Sequence, residues 1–270
     1  MKKFEFTGET KTTINGIVLH RIKALVRIDL GYSTIIEVGD LGGWLEKENN
    51  LSYLGSAWVS GDAEVFGDAK VFGDALISGY SRVFGNARIF GNARVYNHAW
   101  VFGDAQVFDD AWIYGNAQVF DDAVVADSAW VFGNSRVFDY AQVFGDAEVH
   151  GNAMISGYSR VFGNAQVSGD AEVLGDAKIY GDSKVSGDAW INKCDHILNI
   201  GPIGSRNEFT TFFRTKDRKI KVSCGCFFGT IDEFLEKVEQ THGDSKHAIV
   251  YRAAADIALA HIDTSDEDDT

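Results

Sequence analysis

Cysteine, basic charge and long apolar runs are all scarce in this chain. Its three cysteines, Cys194, Cys224 and Cys226, are an odd number in 270 residues. That excludes a small disulfide framework and suits a reducing cytoplasm. No apolar run approaches the ~18–20 residues of a membrane-spanning helix, and residues 1–8 lack the apolar core of a secretory leader. The expected location is cytoplasmic, with no membrane partner. Lys and Arg number 25 against 39 Asp and Glu, for a net charge of −14. A field of that sign argues against direct nucleic-acid binding and favours a basic protein as any charged partner.

Against these absences stands a six-residue phrase that runs from 57 to 191 without gaining or losing a residue, as in Ala63-Glu64-Val65-Phe66-Gly67-Asp68. Ala, or Ser at 81, 135, 159 and 183, recurs at every sixth position, with Val or Ile two places on. A fixed short period dictates architecture before any propensity does. In Ala-x-Val the outer two side chains share one face of a short strand and the middle one takes the other. The aromatic-Gly-Asp or aromatic-Gly-Asn that follows supplies a corner, because Gly, Asn and Asp accept a left-handed backbone cheaply.

Strand and corner at this interval resemble the hexapeptide-repeat family, whose chains coil as a left-handed parallel β-helix. That resemblance implies three faces per coil, residue i stacked on i+18, and the handedness. The stretch from Leu19-His20-Arg21 through Gly42-Gly43-Trp44 and Asn50-Leu51-Ser52 to Ala57-Trp58-Val59 is similar to the N-terminal region of YdcK-like proteins. The expected fold class is therefore mainly β: a left-handed parallel β-helix of about seven to eight coils at 51–192, an N-terminal β cap at 1–50 with Trp44 plugging the open coil, a small C-terminal α+β domain at 193–262, and a disordered acidic tail at 263–270.

Stacked by 18, the position after Val forms aromatic columns. One contains Phe66, Phe84, Phe102 and Phe120, another Phe72, Phe90 and Phe108. Two readings stand: self-stacking along the coils, or an apolar surface that pairs subunits or receives a partner or carbohydrate. Homo-oligomerisation is the expectation. The corner column is acid or amide, and 57–190 holds eighteen Asp and Glu against eight Lys and Arg. An acidic decoy for a DNA-binding protein is one reading of those rows, although backbone preference alone puts Asp and Asn at corners.

Most characterised hexapeptide-repeat proteins are acyltransferases, which implies a loop leaving the helix and a His acting as general base. Here no loop interrupts 57–191, and its only histidines, His98 and His150, lie 52 positions apart. The three-His zinc set of the related carbonic anhydrases is missing. No catalytic residue, cofactor or metal is assigned.

Beyond 191 the phrase stops. Strands are expected at 196–200, 208–214 and 219–224. A helix should start at Thr230, where Thr230 and Glu233 carry a capping-box signature, and a second should span 245–261. Gly201-Pro202-Ile203-Gly204-Ser205-Arg206 is the most chemically suggestive segment. A Gly-bearing loop of this kind presents N–H groups and a guanidinium to a phosphate or carboxylate; the alternative is a plain hairpin turn. Candidate ligand-binding residues are Gly201, Gly204, Ser205, Arg206, Thr211, Arg214 and Lys219. Cys224 and Cys226 with Cys194 and His196 read as buried thiols ahead of a metal set.

The cap, the unbroken coils and this tail domain together resemble proteins of phages and prophages, which implies a counter-defence or virion-adjacent role. The leading expectation is a non-enzymatic, oligomeric binding scaffold whose C-terminal domain engages a protein or a small anionic, nucleotide-like ligand. An acyltransferase with an inter-subunit site and the acidic decoy are the alternatives.

Overall fold

A computed structural model describes residues 2–31 and 34–265. The chain divides into two compact units, 1–146 and 147–270.

The first unit opens with an antiparallel pair, β1 (Phe4–Thr12) and β2 (Val18–Ala24), and a short hairpin of β3 (Ile28–Asp29) and β4 (Ile35–Ile36). β5 (Leu41–Leu45) pairs antiparallel with β2 and parallel with the second of the coil strands. Fifteen two-residue strands follow, β6–β20, from Trp58–Val59 to Gln142–Val143. They pair in parallel at a separation of eighteen: Arg82 with Trp100, Arg88 with Gln106, Arg94 with Trp112. Three strands thus make a turn, and fifteen make five turns of a parallel β-solenoid.

The Ala/Ser and Val/Ile columns of this unit are at most 1% exposed, as the shared-face reading requires. The residue between them faces outward, except where the N-terminal segment covers Trp58, Glu64 and Arg94. At the corners the residue after the outer aromatic is left-handed throughout. It is Gly at most turns, and every non-glycine there is Asn or Asp: Asn97, Asp109, Asp121, Asp127 and Asp139, with φ of 55–62°.

The open end of this ladder is closed by side chains. Lys3 Nζ donates to the carbonyls of Ala57 (2.6 Å) and Gly55 (3.2 Å). Buried Asn50 donates to Gly67 and Ala69 and accepts from the Lys47 N–H, and Glu46 accepts from the Gly67 N–H. Each supplies a partner that a further coil would otherwise provide. Trp44 is not the plug that the sequence suggests. It stands in register with Glu64, whereas Leu45 matches the inward Val65. The period of two therefore turns Leu45 inward, and the Trp44 ring is covered by Lys11 and Arg21.

The second unit holds eight further two-residue strands, β21–β28, from Glu148–Val149 to Trp190–Ile191, in the same register. The two units together carry between seven and eight turns, as the period implies. A four-stranded antiparallel sheet follows in chain order: β29 (Ile197–Ile203), β30 (Glu208–Arg214), β31 (Ile220–Cys224) and β32 (Phe227–Thr230). The last strand is one more than the sequence reading contains. Cys224 pairs with Phe227 across a two-residue turn whose Gly225 is left-handed, and four residues are too few to show alternation.

Helices α1 (Ile231–His242) and α2 (Lys246–His261) complete the unit. Thr230 and Glu233 form the expected reciprocal cap. Phe212 and Val222 of the sheet pack with Phe234, Val238, Tyr251 and Ala255 of the helices into a separate core. The opposite side of the sheet meets the last turn of this unit, where Lys184 N–H donates to Thr211 Oγ1 (3.0 Å) and Ala189 bridges Thr215. Most of the acidic tail, 266–270, lies outside the described residues, while Ser265 and Asp263 are hydrogen-bonded to Arg214 and Asp195.

Candidate functional site

The β29–β30 turn, the β31–β32 turn and the two helices enclose a cavity of about 310 Å³. Its wall is apolar: Phe227, Phe234, Val238 and the Tyr251 ring line it. Phe234 meets Tyr251 edge to face, with centroids 5.6 Å apart. Heptad-like spacing on α1 buries Phe234 and Val238 and leaves Lys237 and Thr241 at the mouth.

Polar groups gather on one side. Ser205 and Cys224 both approach the Tyr251 hydroxyl, and burial, with Cys224 alongside, pushes the Tyr251 phenol above its ordinary range. Thr210 Oγ1 donates to Cys224 Sγ (3.2 Å). Arg206 lies under the β31–β32 turn, so close that a β-carbon at Gly225 would meet its Nη1 at 2.9 Å. Arg206 and Lys237 place two cationic side chains in the lining, with the His242 ring beside them. Among the described residues no carboxylate ion-pairs with Arg206 or Lys237. An apolar slot with unpaired cations at its opening suits a small molecule with an apolar body and one anionic group.

The structure brings two of the sequence-derived candidates, Ser205 and Arg206, to this cavity. Gly201 belongs to β29, packed on Phe209, and Gly204 forms the turn against Tyr251. Three candidates lie elsewhere. Thr211 is one residue out of phase with Thr210, so it faces the coils and bonds Lys184 and Asn199. Arg214 is buried with its guanidinium 4.6 Å from the Trp190 ring and donates to the Ser265 carbonyl. Lys219 pairs with Asp217 across a turn (2.7 Å) and holds that carboxyl down to about 2. The helix contributors Lys237, Thr241 and Tyr251 escaped the sequence reading, because periodicity shows which helix face is apolar but not which strand edge it meets.

The thiols are not buried: Cys194 and Cys226 are exposed and Cys224 is half-buried. The β31–β32 turn carries Cys226 to the cavity mouth, while Cys194 opens on a different cavity of about 380 Å³ with Lys178 and His261. Among the described residues no group of three His, Cys, Asp or Glu is placed to hold a metal.

On the first unit the aromatic columns stack on themselves. Phe66, Phe84, Phe102 and Phe120 follow at 4.8–4.9 Å with planes within 1°. Phe72, Phe90 and Phe108 repeat the pattern within 6°. The rings spend their faces on one another and turn edges to solvent, which removes the face that a sugar would need. The acidic corners are likewise not uniform rows: Asn86 donates to Asp104 and Asn92 to Asp110. Amides between carboxylates relieve the repulsion and dilute the charge that a decoy needs.

No helix among the described residues is long and apolar enough to cross a membrane. No curated protein matches the chain. A family model described as the YdcK β-solenoid repeat matches residues 87–103, about one turn, within the coils rather than at the N-terminal stretch that first suggested it. The parallel solenoid and this match make the chain a β-solenoid repeat protein similar to the YdcK repeat.

Proposed function

We propose that this protein is a non-enzymatic binding scaffold whose C-terminal sheet and helices capture a small molecule with an apolar body and a single anionic group. The observation that carries this reading is the pair of cations, Arg206 and Lys237, that line an apolar cavity in a strongly acidic chain and have no ion-pair partner among the described residues. Unpaired positive charge is available to a ligand without first breaking an ion pair. Within each unit, backbone bonds fix each turn of the coils to the next.

Calorimetry with phenyl phosphate as the probe and benzyl alcohol as the neutral comparison tests the reading. Saturable heat with phenyl phosphate alone is expected, and Arg206→Ala should weaken it about tenfold, the usual worth of a charge-assisted hydrogen bond. Equal affinity in the variant would sink the assignment. Native mass spectrometry of protein purified from cells reports the physiological ligand as added mass. A counter-defence setting, implied by the likeness to phage and prophage layouts, belongs to the proposal and is tested by phage plating on cells that express the protein.

A further inference from the structure

The coils of the second unit end unevenly. Their last strands, one on each wall, are β26 (Lys178–Ile179), β27 (Lys184–Val185) and β28 (Trp190–Ile191). Strand β30 meets two of them: Thr211 Oγ1 accepts from the Lys184 N–H (3.0 Å), and Thr215 bridges Ala189 beside β28. Among the described residues no strand takes the next place on β26. One coil earlier, the N–H groups of Arg160 and Phe162 donate to the carbonyls of Ala177 and Ile179 (2.9 Å each). The same step from Lys178 and Tyr180 would reach Asp195 and Ile197. The Asp195 carbonyl instead accepts from the Asp263 N–H, and Ile197 has left for β29. The N–H groups of Lys178 and Tyr180 therefore have no acceptor among the described residues, and an edge strand of this kind is a ready set of donors.

A cavity of about 380 Å³ opens between this edge and β29. Lys178, Tyr180, Asn199 and His261 line it, and among the described residues no Asp or Glu does. Neither Lys178 nor His261 has an ion-pair partner among the described residues. The Thr211 hydroxyl, which accepts from Lys184, gives its proton to Asn199 Oδ1 (3.1 Å). That fixes the amide and turns Nδ2 toward Gly181, where a β-carbon would meet it at 3.6 Å. Nδ2 has no acceptor among the described residues. Two backbone N–H groups, an ammonium, an amide and an imidazole are more donors than a carboxylate's two oxygens use, and they suit the three oxygens of a phosphate monoester.

Tyr180 supplies a platform beside these donors. It ends an aromatic column: its ring stacks on Phe162 with centroids 5.7 Å apart, and the position eighteen further on is Leu198 of β29. Tyr180 is 52% exposed and has no second ring partner among the described residues. A planar base can extend the column by one ring, as bases do on exposed aromatic side chains.

We propose that this second cavity binds a nucleoside monophosphate. Lys178, Asn199 and the open edge of β26 hold the phosphate, and the base stacks on Tyr180. The site is separate from the cavity at Arg206 and does not depend on it.

Cys194 opens on this cavity and Cys226 on the other, so iodoacetamide labelling of the full chain, read by peptide mass analysis, reports both in one sample. AMP should slow alkylation of Cys194 and leave Cys226 unchanged. In Lys178→Ala, checked for folding by circular dichroism, the AMP concentration for half-protection should rise about tenfold. Tyr180→Ala should bring that concentration to the value for inorganic phosphate, and adenosine should protect far less than AMP. No slowing of Cys194 at about 1 mM AMP overturns the proposal, as does equal protection by adenosine or an unchanged half-protection concentration in Lys178→Ala. Slowing of Cys226 alone would send AMP to the cavity at Arg206 and overturn it equally.

Discussion

The Gly204 backbone lies directly against the Tyr251 phenol, so that a β-carbon at 204 would overlap the ring and its hydroxyl. Gly204 is also left-handed, at φ +72°. Gly204→Ala therefore meets two penalties at once, a strained backbone and a steric collision. The variant should lose about 2 kcal/mol or more of stability in the C-terminal unit, measured by urea denaturation. Because relief requires Tyr251 to move, phenyl phosphate should also bind more weakly to the folded fraction.

Arg214 and Trp190 make a separate test of which cations serve the ligand. Arg214 is 2% exposed and stacks on the indole. Removing the planar guanidinium from a buried stack should cost about 2–4 kcal/mol in Arg214→Ala, and Arg214→Lys should recover less than half. Chemical denaturation gives both numbers. Affinity for phenyl phosphate per folded molecule should not change, in contrast to Arg206→Ala.

Lys3 ties stability to alkaline pH. Burial lowers its pKa to about 8, with Asp74 acting in the other direction, against 10.5 for an ordinary lysine. Between those values the unfolded chain binds more protons than the folded one, so folding stability from this group rises with pH across that window. Below pH 8 the folded state carries the full cost of a buried ammonium. Urea midpoints from pH 7 to pH 10 should rise more in the native sequence than in Lys3→Met. Equal slopes would mean that Lys3 is charged and well solvated.

Phe102 sits between Phe84 and Phe120, 4.8 Å from each. Phe102→Ala breaks two stacks, each contributing about 0.5–1.5 kcal/mol beyond area burial, so the first unit should lose about 2–3 kcal/mol. Hydrogen exchange should show the loss concentrated in the adjoining turns, because each turn touches only its neighbours. If the columns instead mediated subunit pairing, the variant would change sedimentation and leave exchange alone.

Period, more than any single residue, made the coils legible. An unbroken spacing of six places Ala63 and Val65 inward, Phe66 at the shoulder and Gly67 at the corner, and the left-handed Asp109 and Asp121 follow from the same rule. Register in a repeat is local, so reading the next eighteen residues is enough. The capping box at Thr230 was legible for the same reason. The cavity was not, since it depends on which way a strand of period two happens to face: Thr210 looks to Cys224 and Thr211 to Lys184, a choice that one residue of register reverses.

Trp44 shows the same division at the other end. The sequence alone established the repeat, its buried columns, its corners and the class of the C-terminal unit, because these are set by spacings of a few residues. Only the tertiary structure decided that Leu45 rather than Trp44 fills the coil, that Arg214 seals an indole while Arg206 lines a cavity, and that Lys237 and Tyr251 from two helices meet the turn at Ser205 and Arg206, far earlier in the chain. Packing between distant segments is fixed by the shapes and charges that remain after local structure has formed, and no spacing along the chain records it.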